Sequence, residues 1–308
     1  MIIGTRGSDL AIAQTNIIES MLNQRGITTT KKIIYTKGDF VNRTSKENIF
    51  NNVGIFVNEL DEALEKKDID IAVHSMKDLP TKRPSNLIIS SVIKRGNPND
   101  ILLSNESLSI KKIPKNYVIG TSSARRKSQL LRYNKDIIIK DLRGNINTRI
   151  NKLLNNNYDA IIISQVGLER INFFKKFESH INILPIKDFC PSPNQAAIAI
   201  VTNNYSKYNN VISSINDNLT FIETSIEREI MSFLNVGCSM PVGIYAKCYE
   251  KEKKIEVLID ILNLDGTNSI IINDILSLKN IKNDMLLLYK KIKESNAFSI
   301  IEEVKKKL

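Results

Sequence analysis

A chain of 308 residues with 42% hydrophobic content can bury a large core and has room for two or three domains. Its mean hydropathy of −0.17 excludes a disordered chain, and no apolar run approaches the ~18–20 residues that cross a bilayer. The net charge of +11 rests on 32 lysines against 12 arginines; scattered lysine is not a nucleic-acid stripe, so no nucleic acid and no membrane are expected as partners.

Cys190, Cys238 and Cys248 are too few and too scattered for a disulfide framework. With only His74 and His180 and no Cys-x-x-Cys, no metal site is expected. The opening "MIIGTRGSDLAIAQ" has no basic n-region, long apolar stretch or small-residue cleavage site, so the expected location is cytoplasmic.

In chain order, "MIIGT" (1–5) reads as a strand, and Ser8 as an N-cap with Asp9 in the first turn. Leu10, Ala13, Ile17 and Met21 mark one helical face, which Gly26 ends. "KIIYT" (32–36) is the next strand, and "DFVNRTSKENIFNN" (39–52) has the length and polarity of a lid loop. A helix over 56–67 and a buried strand over 70–75 follow. The alternation continues with strands at 87–93, 117–121, 136–142 and 159–164 and helices near 123–133 and 146–156. Alternating βα units imply mainly parallel sheets with helices on both faces, whose ligands bind beyond the carboxyl ends of the strands.

The polar motifs fall at those ends: "TRGS", "HSMKD", "TSSARR" and "LRGN". That pattern predicts a shared ligand cleft. From 217 the texture changes to a helix, two antiparallel strands (241–249 and 254–263) and helices near 281–294 and 297–307. The expected division is 1–96 with 197–216, then 97–196, then an α+β domain over 217–308.

Adjacent arginines, Arg125 and Arg126, stand in the first turn of a helix, where acids are favoured. Two cations there destabilise the helix unless an anion joins them, so the motif predicts anion binding. Lys77 and Asp78 meet where a strand enters a proline turn; a turn cap and a cleft carboxylate are both open readings. Cys238, in the Gly- and Pro-bounded loop "VGCSMPVG", reads as a nucleophile or attachment site or as an inert thiol, whereas Cys190 and Cys248 read as core. Neither a phosphate-binding loop nor a dinucleotide fingerprint occurs.

Taken in order, "TRGSDLAIAQ", "TKGD", "AVHSMKDLPT", "GTSSARRKSQL", "LRGNINTRI", "DAIIISQVGLERI" and "VGCSMPVGIYA" resemble the hydroxymethylbilane synthase, or porphobilinogen deaminase, family over most of 1–248. The resemblance implies two periplasmic-binding-protein-like (type II) α/β domains flanking a cleft, plus a C-terminal α+β domain carrying the cofactor cysteine. It implies a transferase that joins four porphobilinogen units with loss of ammonia and releases a linear tetrapyrrole.

The implied cofactor is dipyrromethane, bound covalently through Cys238, with Ser75, Lys77, Thr121, Ser123, Arg125, Arg126, Gly144 and Asn145 around it. Arg6, Ser8, Arg143, Arg149 and Gln195 match substrate-binding positions, and Asp78 matches the catalytic aspartate. A monomer is implied. Two departures stand out: Val53 where the family has a lysine, and Asn194 and Ala196 in place of glycines flanking Gln195. A non-catalytic carboxylate-binding protein on the same two-domain cleft is the alternative reading.

Overall fold

The computed structural model describes residues 1–36, 57–106, 108–237 and 239–308. In chain order the first elements are β1 (Ile2–Thr5), α1 (Asp9–Asn23), β2 (Thr30–Ile33), α2 (Asn58–Glu65), β3 (Ile71–Ser75) and β4 (Leu87–Val92). Then come β5 (Asp100–Ser104), β6 (Val118–Gly120), α3 (Ala124–Tyr133), β7 (Ile138–Lys140), α4 (Ile146–Leu154), β8 (Ala160–Ser164), α5 (Gln165–Arg170) and β9 (Ile181–Ile183). The chain continues through β10 (Ile198–Asn203), α6 (Asn209–Ser213) and α7 (Asn218–Leu234). It closes with β11 (Val242–Tyr249), β12 (Lys254–Leu262), β13 (Ser269–Ser277), α8 (Ile281–Glu294) and α9 (Ala297–Lys305).

Two compact units result. One is Met1–Gly96 with Gln195–Ile222, the other Asn97–Asn194 with Glu223–Leu308. The first unit holds a five-stranded sheet ordered β2-β1-β3-β10-β4, in which β1 runs parallel to β2 and β3 while β10 runs antiparallel to β3 and β4. The second holds β7-β6-β8-β5-β9, with β6 parallel to β7 and β8 and with β5 antiparallel to β8 and β9. Both sheets therefore follow one plan, in which the antiparallel strand is the one that enters straight after the chain has crossed from the other unit. This repeated mixed sheet gives the pair of α/β domains that the sequence implied.

Period-two alternation explains why these strands are buried on both faces. In the first unit Ile3, Ile71, Val73, Ile198 and Ile200 pack with Ile18 and Leu22 of α1. Ala72, Met76, Ala199 and Val201 pack on the other side with Leu60 and Leu64 of α2. In the second unit the same split puts Ile101, Leu103, Ile161 and Ile163 with Ile150 and Leu153, and Leu102, Ile119, Ala160 and Ile162 with Leu130 and Phe189.

Three local expectations change. The buried stripe of α1 is Gln14, Thr15, Ile18 and Leu22, and Ile17 is exposed. Thr15 donates to the Thr5 hydroxyl at 2.8 Å and Gln14 donates to Ser75 Oγ at 2.9 Å, so satisfied polar groups occupy the buried side and hide it from a hydrophobic pattern. Strand β2 begins two residues before the expected 32–36 and ends at Ile33. Strands β5, β9, β10 and β13 were not anticipated; the 39–52 loop and Val53 lie outside the described residues.

Within the second unit the antiparallel sheet β11-β12-β13 is tied to α3. Arg132 reaches both Asp260 oxygens at 2.8 and 3.0 Å, and Gln129 donates to Asp260 at 2.8 Å. Glu227 and Glu223 of α7 accept the backbone N–H groups of Ala246 and Cys248 at 2.8 and 3.0 Å. A Cβ on Gly243 would come within 2.8 Å of the Cys190 backbone oxygen, which is why β11 needs glycine there.

Candidate active site

In the first unit the polar residues cluster at the carboxyl ends of β1 and β3. Ser8 caps α1 by accepting the Ala11 N–H at 3.3 Å, beside half-buried Arg6. Ser75 ends β3 and is held by Gln14, a partner that no local motif signalled.

A single 3₁₀ turn, Met76–Asp78, then places half-buried Lys77 and Asp78 directly beyond the strand. Met76 is the buried residue of that turn and anchors it by donating its N–H to the Ala197 carbonyl at 3.0 Å. Among the described residues the Asp78 carboxylate has no hydrogen-bond or ion-pair partner. Gln195, on the same unit, is buried and accepts Arg95 Nε at its backbone oxygen at 2.9 Å. Its neighbours Asn194 and Ala196 have φ of 60° and 72°, the left-handed region that glycine adopts freely, asparagine tolerates and alanine enters only with strain. Of the two departures from the family's glycines, Ala196 is the strained one, and the chain passes from one unit to the other at 194/195, inside that segment.

In the second unit Thr121 and Ser123 follow β6, and Ser123 caps α3 by accepting the Arg126 N–H at 3.4 Å. Thr121 Oγ1 in turn accepts the Ser123 N–H at 3.2 Å. The paired arginines find an anion inside the chain. Arg125 Nη2 and Arg126 Nη2 each donate to one oxygen of the fully buried Asp100 at 2.7 Å. Burial alone would raise the Asp100 carboxyl, but the two guanidiniums outweigh it and hold it well below the usual carboxylate range. Arg125 Nη1 is also engaged, with Gln129 and the Cys190 carbonyl at 2.9 and 2.7 Å. Arg126 donates to the Ile162 carbonyl at 3.0 Å but keeps its Nε buried without a partner among the described residues.

One carboxylate between two guanidiniums leaves a net positive charge. Arg149 adds to it: burial and then the field of Arg126 lower its pKa to about 10, and its Nε donates to the Gly144 carbonyl at 2.8 Å. Gly144 has φ of 113°, and a Cβ there would strike Thr148 at 2.7 Å. That turn delivers Asn145, which caps α4 by accepting from Thr148 N and Oγ1, both at 2.8 Å. Arg143 is half-exposed, its only ion pair among the described residues a loose 4.0 Å contact with Asp141. Cys238 lies outside the described residues. Cys190 and Cys248 are buried, and burial pushes the Cys190 thiol well up, as expected of core thiols.

The second unit's residues fit a group that carries carboxylates: an unpaired buried guanidinium N–H, a net positive cluster and two capped helix N-termini are donors for anions. Among the described residues no group of His, Cys, Asp and Glu could hold a metal ion. No helix among them is long and apolar enough to cross a membrane.

Each unit thus carries polar and cationic side chains at the carboxyl ends of its parallel strands, where α/β sheets bind ligands. Comparison with known proteins sharpens the class. The family description "Porphobilinogen deaminase, dipyromethane cofactor binding domain" matches residues 1–210, and "Porphobilinogen deaminase, C-terminal domain" matches 221–292. A probable porphobilinogen deaminase of Methanococcoides burtonii is 40% identical over 304 residues, 98% of this chain and 96% of the relative. One from Picrophilus torridus is 44% identical over 244 residues, 79% and 84% of the two chains. The porphobilinogen deaminase of Sulfurimonas denitrificans is 37% identical over 248 residues, 80% and 79%. The chain belongs to the porphobilinogen deaminase family, transferases of porphyrin biosynthesis with a dipyrromethane cofactor.

Proposed function

We propose that the protein is a hydroxymethylbilane synthase: it condenses four porphobilinogen molecules head to tail, releasing ammonia at each step, and frees the linear product by hydrolysis. It does so as a cytoplasmic monomer, on a dipyrromethane primer held by a thioether at Cys238. When bound, the primer supplies the electron-rich pyrrole carbon to which the first unit is joined.

The observation that carries this reading is the unpaired, half-buried carboxylate of Asp78 at the end of β3. When ammonia leaves porphobilinogen, its methylene carbon and ring become cationic. A fixed carboxylate near the pyrrole N–H stabilises that charge, and it can also accept or return the proton moved in bond formation.

The remaining residues hold anions. Each pyrrole carries two carboxylates, and burying one without a partner costs several kcal/mol. Arg6, Ser8, Arg143, Arg149 and Gln195 are assigned to the incoming substrate. Ser75, Lys77, Thr121, Ser123, Arg126, Gly144 and Asn145 are assigned to the primer. Arg125 has its Nη donors taken by Asp100, Gln129 and Cys190, so its contribution to the primer is chiefly charge. Membership of a transferase family disfavours the purely binding alternative.

Protein purified from a porphobilinogen-producing host should show an intact mass raised by two pyrrole units, and that increment should vanish in Cys238→Ala. It should consume porphobilinogen with matching release of ammonia. A folded wild-type protein that is unmodified and consumes no porphobilinogen overturns the proposal.

A further inference from the structure

Arg83 lies in the loop that follows the Asp78 turn, and its side chain is only 7% exposed. One of its nitrogens, Nη2, donates to Asp61 Oδ1 at 2.7 Å. Among the described residues the other two, Nε and Nη1, are buried with no partner. Asp61 is an acid of the first turn of α2. Because α2 leads into β3, a strand parallel to β1, the N-terminus of α2 lies at the carboxyl-end edge of the sheet, the edge that also carries Asp78.

A guanidinium paired with a carboxylate frequently forms a two-point contact. Arg83 instead makes a one-point contact and leaves two buried nitrogens unsatisfied, an arrangement that costs stability unless a ligand completes it. His74, the buried penultimate residue of β3, has its Nε2 buried and unpartnered as well. Burial first, then the fields of Arg83 and Arg6, lower the His74 pKa to about 3. Both guanidiniums are thus within electrostatic reach of one neutral ring.

We infer that Arg83 is a further subsite for a pyrrole-borne carboxylate, with the Nε and Nη1 groups as its donors. This rests on the function proposed above. Arg83 is a binding residue: it selects and seats the substrate without taking part in bond making.

Steady-state kinetics with porphobilinogen test it, using wild type, Arg83→Gln, Arg83→Lys and the double variant Asp61→Asn/Arg83→Gln. Loss of charge-assisted hydrogen bonds predicts a KM raised about ten- to a hundredfold in Arg83→Gln and in the double variant, with kcat within about twofold of wild type. Arg83→Lys should recover only part of that loss. With porphobilinogen monoamidated on the acetate or on the propionate, one of the two analogues should give the same KM in wild type and double variant.

A double variant with wild-type KM, or a penalty unchanged with both monoamides, overturns the subsite and leaves Arg83 as the partner of Asp61. Should Arg83→Gln fail to fold because Asp61 is left alone, the double variant, which removes both charges, gives the same reading. Wild type that consumes no porphobilinogen defeats the function itself; active wild type with an unchanged double variant defeats only this subsite.

Discussion

The two α/β units share one strand order but balance charge in opposite ways. In the second, the antiparallel strand β5 begins with Asp100, and that buried acid joins the guanidiniums of Arg125 and Arg126. In the first, the corresponding strand β10 begins with Ile198 and contributes no acid. There, among the described residues, the carboxylate of Asp78 stands unpaired, and two of the buried donors of Arg83, Nε and Nη1, remain unsatisfied. The difference fits the two tasks proposed for these residues. A cluster that must hold anions without collapsing onto solvent benefits from an internal counterion that fixes its geometry. A carboxylate that must meet a developing cation is of use only if no internal cation has taken it already.

Three changes would break or sharpen that contrast. Asp100→Asn leaves two buried guanidiniums without their counterion, and breaking a buried pair in this way costs about 3–5 kcal/mol. Urea denaturation should show that loss; a change below about 1 kcal/mol would mean the arginine pair is neutralised elsewhere.

Next comes His74, whose folded pKa of about 3 lies below its ordinary 6.5. Between those values the unfolded chain binds a proton that the folded chain does not, so stability is full above pH 6.5 and falls with decreasing pH by up to about 1.4 kcal/mol per unit. Denaturation at pH 7.5 and 5.5 should differ by about that amount in wild type, and His74→Phe should reduce the difference.

The smallest effect concerns Ala196, held at φ 72°. Ala196→Gly removes the left-handed strain at some cost in chain entropy, and a net gain of about 0.5–1 kcal/mol is expected as a raised melting temperature. A lowered one would show that the strain is not felt there.

Much of this was legible because it is local. The N-caps Ser8, Ser123 and Asn145 each bond a backbone N–H three residues on, so a short window of sequence reveals them. Long runs such as those of β3, β8, α7 and α8 also stand out. What stayed hidden depends on which strands become neighbours. Asp100 is 25 residues from Arg125, and Asp61 is 22 from Arg83; nothing in either local pattern marks those pairs. Strands β5 and β10 each enter after a crossing of the chain, and their antiparallel pairing is set by the sheet they join. The buried side of α1 was obscured because two of its four buried residues are polar and find partners only in the folded sheet.

The direct test of this division of labour is intact-mass analysis of primer-bearing Asp78→Asn mixed with one equivalent of porphobilinogen, followed over the time in which wild type gains a pyrrole unit. The account predicts an unchanged primer mass in the variant and no release of ammonia. Gain of a pyrrole unit at the wild-type pace would contradict it.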